Sequence, residues 1–171
     1  MEVDIMKKII LKSSSPRRKE LLTNMGYEFE IKVYPVDETM DKNKTPFENV
    51  KELGYMKAAV RMEEDYGSIL IGCDTIVVLD DVIYGKPKDK DDAYNMLKSL
   101  SGKCHKVMSG VTTIYKDICY SIVETSKVYF KDLSDKEIYD YIETGECFGK
   151  AGAYAIQGIG KALVDHYEGS R

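Results

Sequence analysis

ILIGCDTIVVL, residues Ile69–Leu79, is the stretch on which the fold turns. Nine of its eleven residues are apolar, glycine or cysteine, and β-branched side chains dominate its second half. A continuous apolar run of this kind reads as a strand buried on both faces. In its middle stand Asp74 and Thr75. A carboxylate inside such a strand needs a cation, hydrogen-bond donors or a metal beside it, or else a raised pKa. A second reading places Asp74 where the strand emerges, bonded to nearby backbone N–H groups. The stretch alone leaves both open, and the segments around it bear on the choice.

The frame is that of a globular chain. Its 171 residues suit one domain with a sizeable core. With 43% hydrophobic and 32% charged residues it is not a disordered chain. A net charge of −4 argues against a surface that coats nucleic acid, so any basic site must be a local cluster. Cys73, Cys104, Cys119 and Cys147 form no CxxC pair, which speaks against zinc. The two histidines have no suggestively spaced serine or cysteine, which gives little support to a histidine-based triad. There is no signal peptide and no apolar run long enough to span a bilayer, so the expected location is the cytoplasm, with no membrane partner.

Upstream of the quoted stretch, Lys7–Lys12 reads as a first strand, with residues 1–6 as an extension. Ser13-Ser14-Ser15-Pro16-Arg17-Arg18 follows. Serine before proline starts a helix, whose stripe is Leu21, Leu22 and Met25 and whose stop is Gly26. Arginine in a first turn opposes the helix dipole, and a bound anion would repair the misfit. A solvated basic helix start is the plainer reading. Glu28–Val33 alternates as a strand, and the loop Pro35–Thr39 carries the acids Asp37 and Glu38. Paired loop acids are usually solvated, yet they also suit a hard divalent cation. Thr45-Pro46-Phe47-Glu48 is a capping box, opening a helix expected to reach about Asp65. Phe47, Val50, Leu53 and Val60 mark its apolar face, and Lys57 falls on that face. Such a lysine either snorkels at the stripe edge or points inward at a charged ligand.

Downstream, Asp80-Asp81 is a hairpin turn, Val82–Tyr84 returns, and Gly85-Lys86-Pro87 closes the hairpin. A helix is expected over Asp89–Leu100. His105–Tyr115 and Ile118–Phe130 read as an antiparallel pair joined at Lys116-Asp117. Ser134-Asp135-Lys136-Glu137 is a second capping box, whose helix carries Ile138, Tyr141 and Ile142 and stops at Gly145. Residues Gly149–Gly160 hold four glycines, the mark of close backbone approach, and Gln157 is the one uncharged amide there. Leu163–Tyr167 is the expected last strand.

Four cations (Arg17, Arg18, Lys57 and Lys86) exceed what one carboxylate substrate needs and suit a polyphosphate. The acids would hold a metal and activate water. The GxxxxGK[ST] pattern is absent, which argues against a P-loop kinase or ATPase.

These pieces together resemble the Maf family of nucleoside triphosphate pyrophosphatases. The resemblance rests on SSSPRRKELL, VDET, YMKAAV, IGCDTIVV, YGKP, MLKSLSGKCHKVMSGV and KAGAYAIQGIG, in the family's order over nearly the whole chain. The S-P-R-R start, the Asp-Thr pair and the I-Q-G segment resemble the branch that hydrolyses dTTP and UTP. The resemblance implies an α/β fold, a mixed and strongly twisted sheet flanked by helices in two lobes, with the nucleotide in a central cleft and often a homodimer. Residues 1–171 would be one such domain, without the family's usual C-terminal strand and helix.

By motif, the resemblance implies that Asp74 is the proton acceptor. It implies that Arg17, Thr75 and Gln157 set nucleotide preference and that Ser13, Arg18, Lys57 and Lys86 bind phosphate. Glu38, with Asp74, would hold a divalent cation, magnesium or manganese. The implied reaction is attack of water on the α-phosphorus, releasing a nucleoside monophosphate and pyrophosphate. Two other classes stand beside it: a nucleotide-binding regulator of division septum formation without turnover, and a nucleic-acid binder using Arg17–Lys19, which the acidic balance opposes.

Overall fold

A computed structural model describes residues 7–169. The reading of residues 1–6 as an extension lies outside them. Within the described residues the chain forms a mixed sheet, in the order β2-β1-β3-β5-β6-β7 with β4 paired to β3, and four helices. The strands are β1 (Ile9–Leu11), β2 (Glu30–Ile31), β3 (Ile69–Leu79), β4 (Val82–Tyr84), β5 (Cys104–Tyr115), β6 (Ile118–Phe130) and β7 (Val164–Glu168). The helices are α1 (Pro16–Asn24), α2 (Pro46–Ala59), α3 (Lys90–Leu100) and α4 (Asp135–Glu143). None of the helices in the described residues is long and apolar enough to cross a membrane.

The chain divides into two compact units: one comprises residues up to Asp74 and Ser109–Val123, the other Thr75–Met108 and Glu124 onward. In the first, β1 runs parallel to β2 and to β3, with Leu11 level with Ile71. Ile10, Ala58, Leu70 and Ile114 form its buried cluster. Three glycines set how closely α2 approaches the strands. A Cβ on Gly72 would lie 2.2 Å from the Ala58 nitrogen, one on Gly54 2.6 Å from the Gly110 oxygen, and one on Gly110 2.2 Å from the Val50 oxygen. Helix backbone therefore rests directly on strand backbone, which a side chain at any of these positions would prevent.

The second unit packs α3 and α4 onto the far portion of β3 and its neighbours. Leu97, Leu100, Ile138 and Ile142 are essentially solvent-free there. Each such side chain contributes about 1.5–3 kcal/mol through burial. Ser134 and Glu137 complete the reciprocal capping box of α4. β3 with β4 and β6 with β7 pair antiparallel. β5 and β6 are neighbours joined by a two-residue turn, a connection only antiparallel strands permit.

The differences from the sequence reading have local causes. The helix expected to reach Asp65 ends at Ala59, because Arg61 adopts a left-handed φ of 53° and a separate 3-10 turn covers Met62–Asp65. The buried Lys12 ammonium donates to the Val60 carbonyl at 2.5 Å, a cation at the negative end of that helix. Burial lowers the Lys12 pKa, with the Asp65 charge opposing. Phe47 is exposed rather than part of the apolar face. The α1 stripe is not covered either: no residue of α1 is buried, and Leu21 and Met25 are exposed. Local bonds hold this nine-residue helix instead, from the Ser15 cap to the Gly26 turn. β2 shrinks to two residues because its neighbour β1 has only three.

Candidate functional site

The serine-rich turn after β1 is placed by the parallel register. Lys12 N–H donates to the Ile71 carbonyl at 2.8 Å, which carries Ser13 alongside Cys73. Arg18 then folds back from the first turn of α1. Its Nη1 donates to Ser13 Oγ at 2.9 Å and to the Cys73 carbonyl at 3.1 Å. Ser13 is buried, and its Oγ also accepts the Ser15 N–H at 3.2 Å. Arg18 thus ties the turn to the strand residue before Asp74. Arg17 points elsewhere: its exposed guanidinium lies 3.9 Å from Glu20.

Helix α2 supplies the centre of the site. Because Gly72 lets the helix settle onto β3, Lys57 reaches Asp74. Its Nζ lies 2.7 Å from Asp74 Oδ1 and 2.6 Å from Glu38 Oε1. The Lys57 and Asp74 side chains are 18% and 14% exposed, whereas Glu38 is 51% exposed. Of the two readings open for Asp74, the cation is the one realised. Burial by itself would lower the Lys57 pKa, but its bonds to Asp74 and Glu38 outweigh that and hold it above the ordinary lysine value.

Two carboxylates from separate segments therefore converge on one positive centre. Among the described residues no group of three or more His, Cys, Asp or Glu side chains forms a metal cage. Magnesium and manganese do not require one: such ions bind one or two carboxylates and keep waters and substrate phosphates as other ligands. Hard oxygen donors already directed at a shared cation fit that demand.

The remaining expected residues belong to the second unit. Thr75 is half-buried in β3, and Lys86 is exposed in the loop after β4. That loop is joined to the glycine-rich segment, since Gly152 N–H donates to the Gly85 carbonyl at 3.1 Å. Gln157 is exposed on that segment. Tyr154 anchors the segment to the core, its hydroxyl 2.5 Å from His105 Nε2. Burial lowers the His105 pKa to about 4.

Two residues were not singled out for function by sequence reasoning. Glu146 accepts hydrogen bonds from the Ile159 N–H (3.0 Å), the Gly160 N–H (2.8 Å) and the Tyr141 hydroxyl (2.8 Å). The same hydroxyl accepts from the Ala155 N–H at 3.2 Å. The signal available in the sequence was the pair Gly158 and Gly160, close after an acid at the end of α4.

With this geometry in view, the comparisons are specific. The family model described as Maf-like protein matches residues 8–171, and the chain belongs to the Maf family. It is 48% identical to the dTTP/UTP pyrophosphatase of Thermoanaerobacter sp. (strain X514), over 95% of this chain and 86% of that protein. It is 44% identical to the protein of the same name from Ruminiclostridium cellulolyticum, over 96% of this chain and 86% of the relative. For Clostridioides difficile the values are 45%, 94% and 84%. Among solved structures, the Ham1 protein of Staphylococcus aureus aligns at a TM-score of 0.49 and 13% identity, over 74% of this chain and 73% of its own.

Proposed function

We propose that this protein hydrolyses dTTP and UTP to the nucleoside monophosphate and pyrophosphate. The observation that carries the reading is the Lys57 bridge between Asp74 and Glu38, in a chain whose curated relatives are named for that reaction. A strand-borne carboxylate with a cation beside it is what proton removal from water next to a polyphosphate requires.

Asp74 is the general base. It takes a proton from the water that attacks the α-phosphorus, and the bond from that phosphorus to the bridging oxygen breaks. Glu38 and Asp74 would hold a magnesium or manganese ion, which, when bound, neutralises phosphate charge and lowers the pKa of bound water. Lys57 has two tasks. Without nucleotide it pairs with both acids, and with nucleotide its ammonium is available to phosphate oxygens. Arg17 and Lys86, both exposed, take up charge on the departing pyrophosphate. Arg18 and Ser13 act together, the guanidinium holding the serine turn in the shape that receives phosphate. Thr75 and Gln157 read the pyrimidine: a hydroxyl and an amide can match a donor–acceptor edge and reject a base that leaves them unpaired.

The test is a turnover panel of common and modified nucleoside triphosphates with magnesium or manganese, assaying pyrophosphate and orthophosphate separately. The expected product is pyrophosphate from dTTP and UTP, lost in Asp74→Asn. Orthophosphate would place attack at the terminal phosphate and overturn the reading. Binding without turnover in the parent protein would point to a regulator.

A further inference from the structure

The glycine-rich segment is folded around a carboxylate of the protein itself. Glu146 follows α4 by three residues, and Tyr141 is in the last turns of that helix. Glu146 Oε1 receives the Tyr141 hydroxyl and the Gly160 N–H, and Oε2 receives the Ile159 N–H. The Tyr141 oxygen receives the Ala155 N–H. Both sides of Gln157 are thus pinned, at Ala155 before it and at Ile159 and Gly160 after it.

The glycines are explained by the same contact. A Cβ on Gly158 would lie 2.6 Å from Glu146 Oε2, and Gly158 has a φ of +154°. One on Gly160 would lie 2.2 Å from the Ala155 oxygen and 2.9 Å from the Tyr141 oxygen. Burial pushes the Glu146 carboxyl upward, but the bonds from Tyr141, Gly160 and Ile159 win and hold it below the ordinary glutamate range. N–H bonds to an ionised carboxylate are the stronger class of hydrogen bond. Gln157, in contrast, is exposed and its amide has no partner among the described residues. An exposed amide discriminates between bases only if its backbone is held before the ligand arrives.

We propose that Glu146, oriented by Tyr141, is a positioning residue for base discrimination: it holds residues 155–160 in the one conformation that presents Gln157 to the base. This rests on the reading of Gln157 as a base-reading residue given above. Glu146 itself touches no substrate.

The experiment compares the parent with Glu146→Ala, Glu146→Gln, Tyr141→Phe and Gln157→Ala. Three quantities are read: kcat/KM for UTP over that for CTP, the KM and kcat for UTP separately, and the exchange rates of the Ile159 and Gly160 amide protons. In Glu146→Ala the UTP-to-CTP ratio is expected to fall about tenfold, mainly through the KM for UTP, with exchange of both amides at least about tenfold faster. Glu146→Gln keeps one acceptor oxygen but turns an NH2 group toward a donor, and should fall between. Tyr141→Phe retains the packed ring, so it tests the hydroxyl even if Glu146→Ala folds poorly.

A ratio within twofold of the parent in both Glu146→Ala and Tyr141→Phe overturns the proposal. So does an equal loss on UTP and CTP, the signature of a loop staple with no part in discrimination. If Gln157→Ala moves the ratio and the Glu146 and Tyr141 variants do not, the clamp fails and the Gln157 reading survives. If Gln157→Ala leaves the ratio alone while Glu146→Ala moves it, the Gln157 reading fails and the clamp stands, holding another reader on the same loop.

Discussion

Lys57 Nζ lies 2.7 Å from Asp74 Oδ1, and the contact exists because Gly72, two residues before Asp74, has no side chain to hold α2 away. The cation and the proposed base are thus matched through the backbone between them.

Replacing Asp74 by Asn keeps size and hydrogen bonding but removes the proposed base. Turnover should fall by about 10²–10⁴-fold while nucleotide binding persists. Pyrophosphate release and equilibrium binding of dTTP to the same variant measure the two separately. Loss of binding along with turnover would mean that Asp74 is chiefly a ligand for the substrate complex.

Lys57→Met leaves two carboxylates facing each other without their cation. Stability should drop by about 1–2 kcal/mol, less than for a fully buried pair because Glu38 is half exposed. The sign with pH follows from the raised lysine pKa. The bridge contributes fully below the ordinary lysine value of 10.5 and is lost as pH rises through the higher folded value. Urea unfolding of parent and variant at neutral pH and near pH 11 should show the gap between them narrowing in alkali.

Gly72→Ala would drive a methyl into the Ala58 nitrogen. An overpacked contact of this kind costs about 1–3 kcal/mol, and the helix must shift to relieve it. Since Lys57 rides on that helix, kcat should fall even in the fraction that stays folded. Thermal melting, with kcat corrected for folded fraction, checks both parts. A stable variant with unchanged kcat would show that the Lys57–Asp74 distance tolerates movement.

His105 sets an acid limit. Its folded pKa of about 4 lies below the ordinary value of 6.5, so the unfolded chain binds the proton more readily between those values. Its neutral form therefore supports the fold above about pH 6.5, and that support declines as pH falls toward 4, by about 3 kcal/mol in all. His105→Phe should flatten this part of the pH–stability curve, at the cost of the bond to Tyr154.

Chelation addresses the ion proposed for Glu38 and Asp74. Removal of divalent cations should abolish turnover, and magnesium or manganese should restore it. The melting temperature without nucleotide should barely move, because Lys57 already pairs with both acids.

Much of this arrangement could be read from residues alone, and the boundary is instructive. β3, β4 and β6 match their expected spans because β-branched runs ended by short turns are local signals. That Lys57 falls on the apolar face of α2 followed from its spacing to Leu53, a helical property, but the spacing left open whether it snorkels or points inward, and its bond to Asp74 decides that. That Glu38 would share the same ammonium did not, since the link joins a loop to a helix with no periodicity between them. Arg18 illustrates the same limit: its position in a first turn suggested an anion, but its partners Ser13 and Cys73 follow from strand register. Leu21 and Met25 had the spacing of a buried stripe and are exposed, because spacing shows what a helix could bury and not what is there to cover it.

Glycine-rich loops that display several backbone N–H groups commonly serve as anion receptors. The one between Gly149 and Gly160 carries its occupant within the chain. With the Ile159 and Gly160 donors turned onto Glu146, and that of Ala155 onto Tyr141, those positions are closed to a phosphate. The negative charge it encloses would repel one that approached. Of the two ends of the proposed nucleotide substrate, this loop is therefore suited to the base and not to the phosphates.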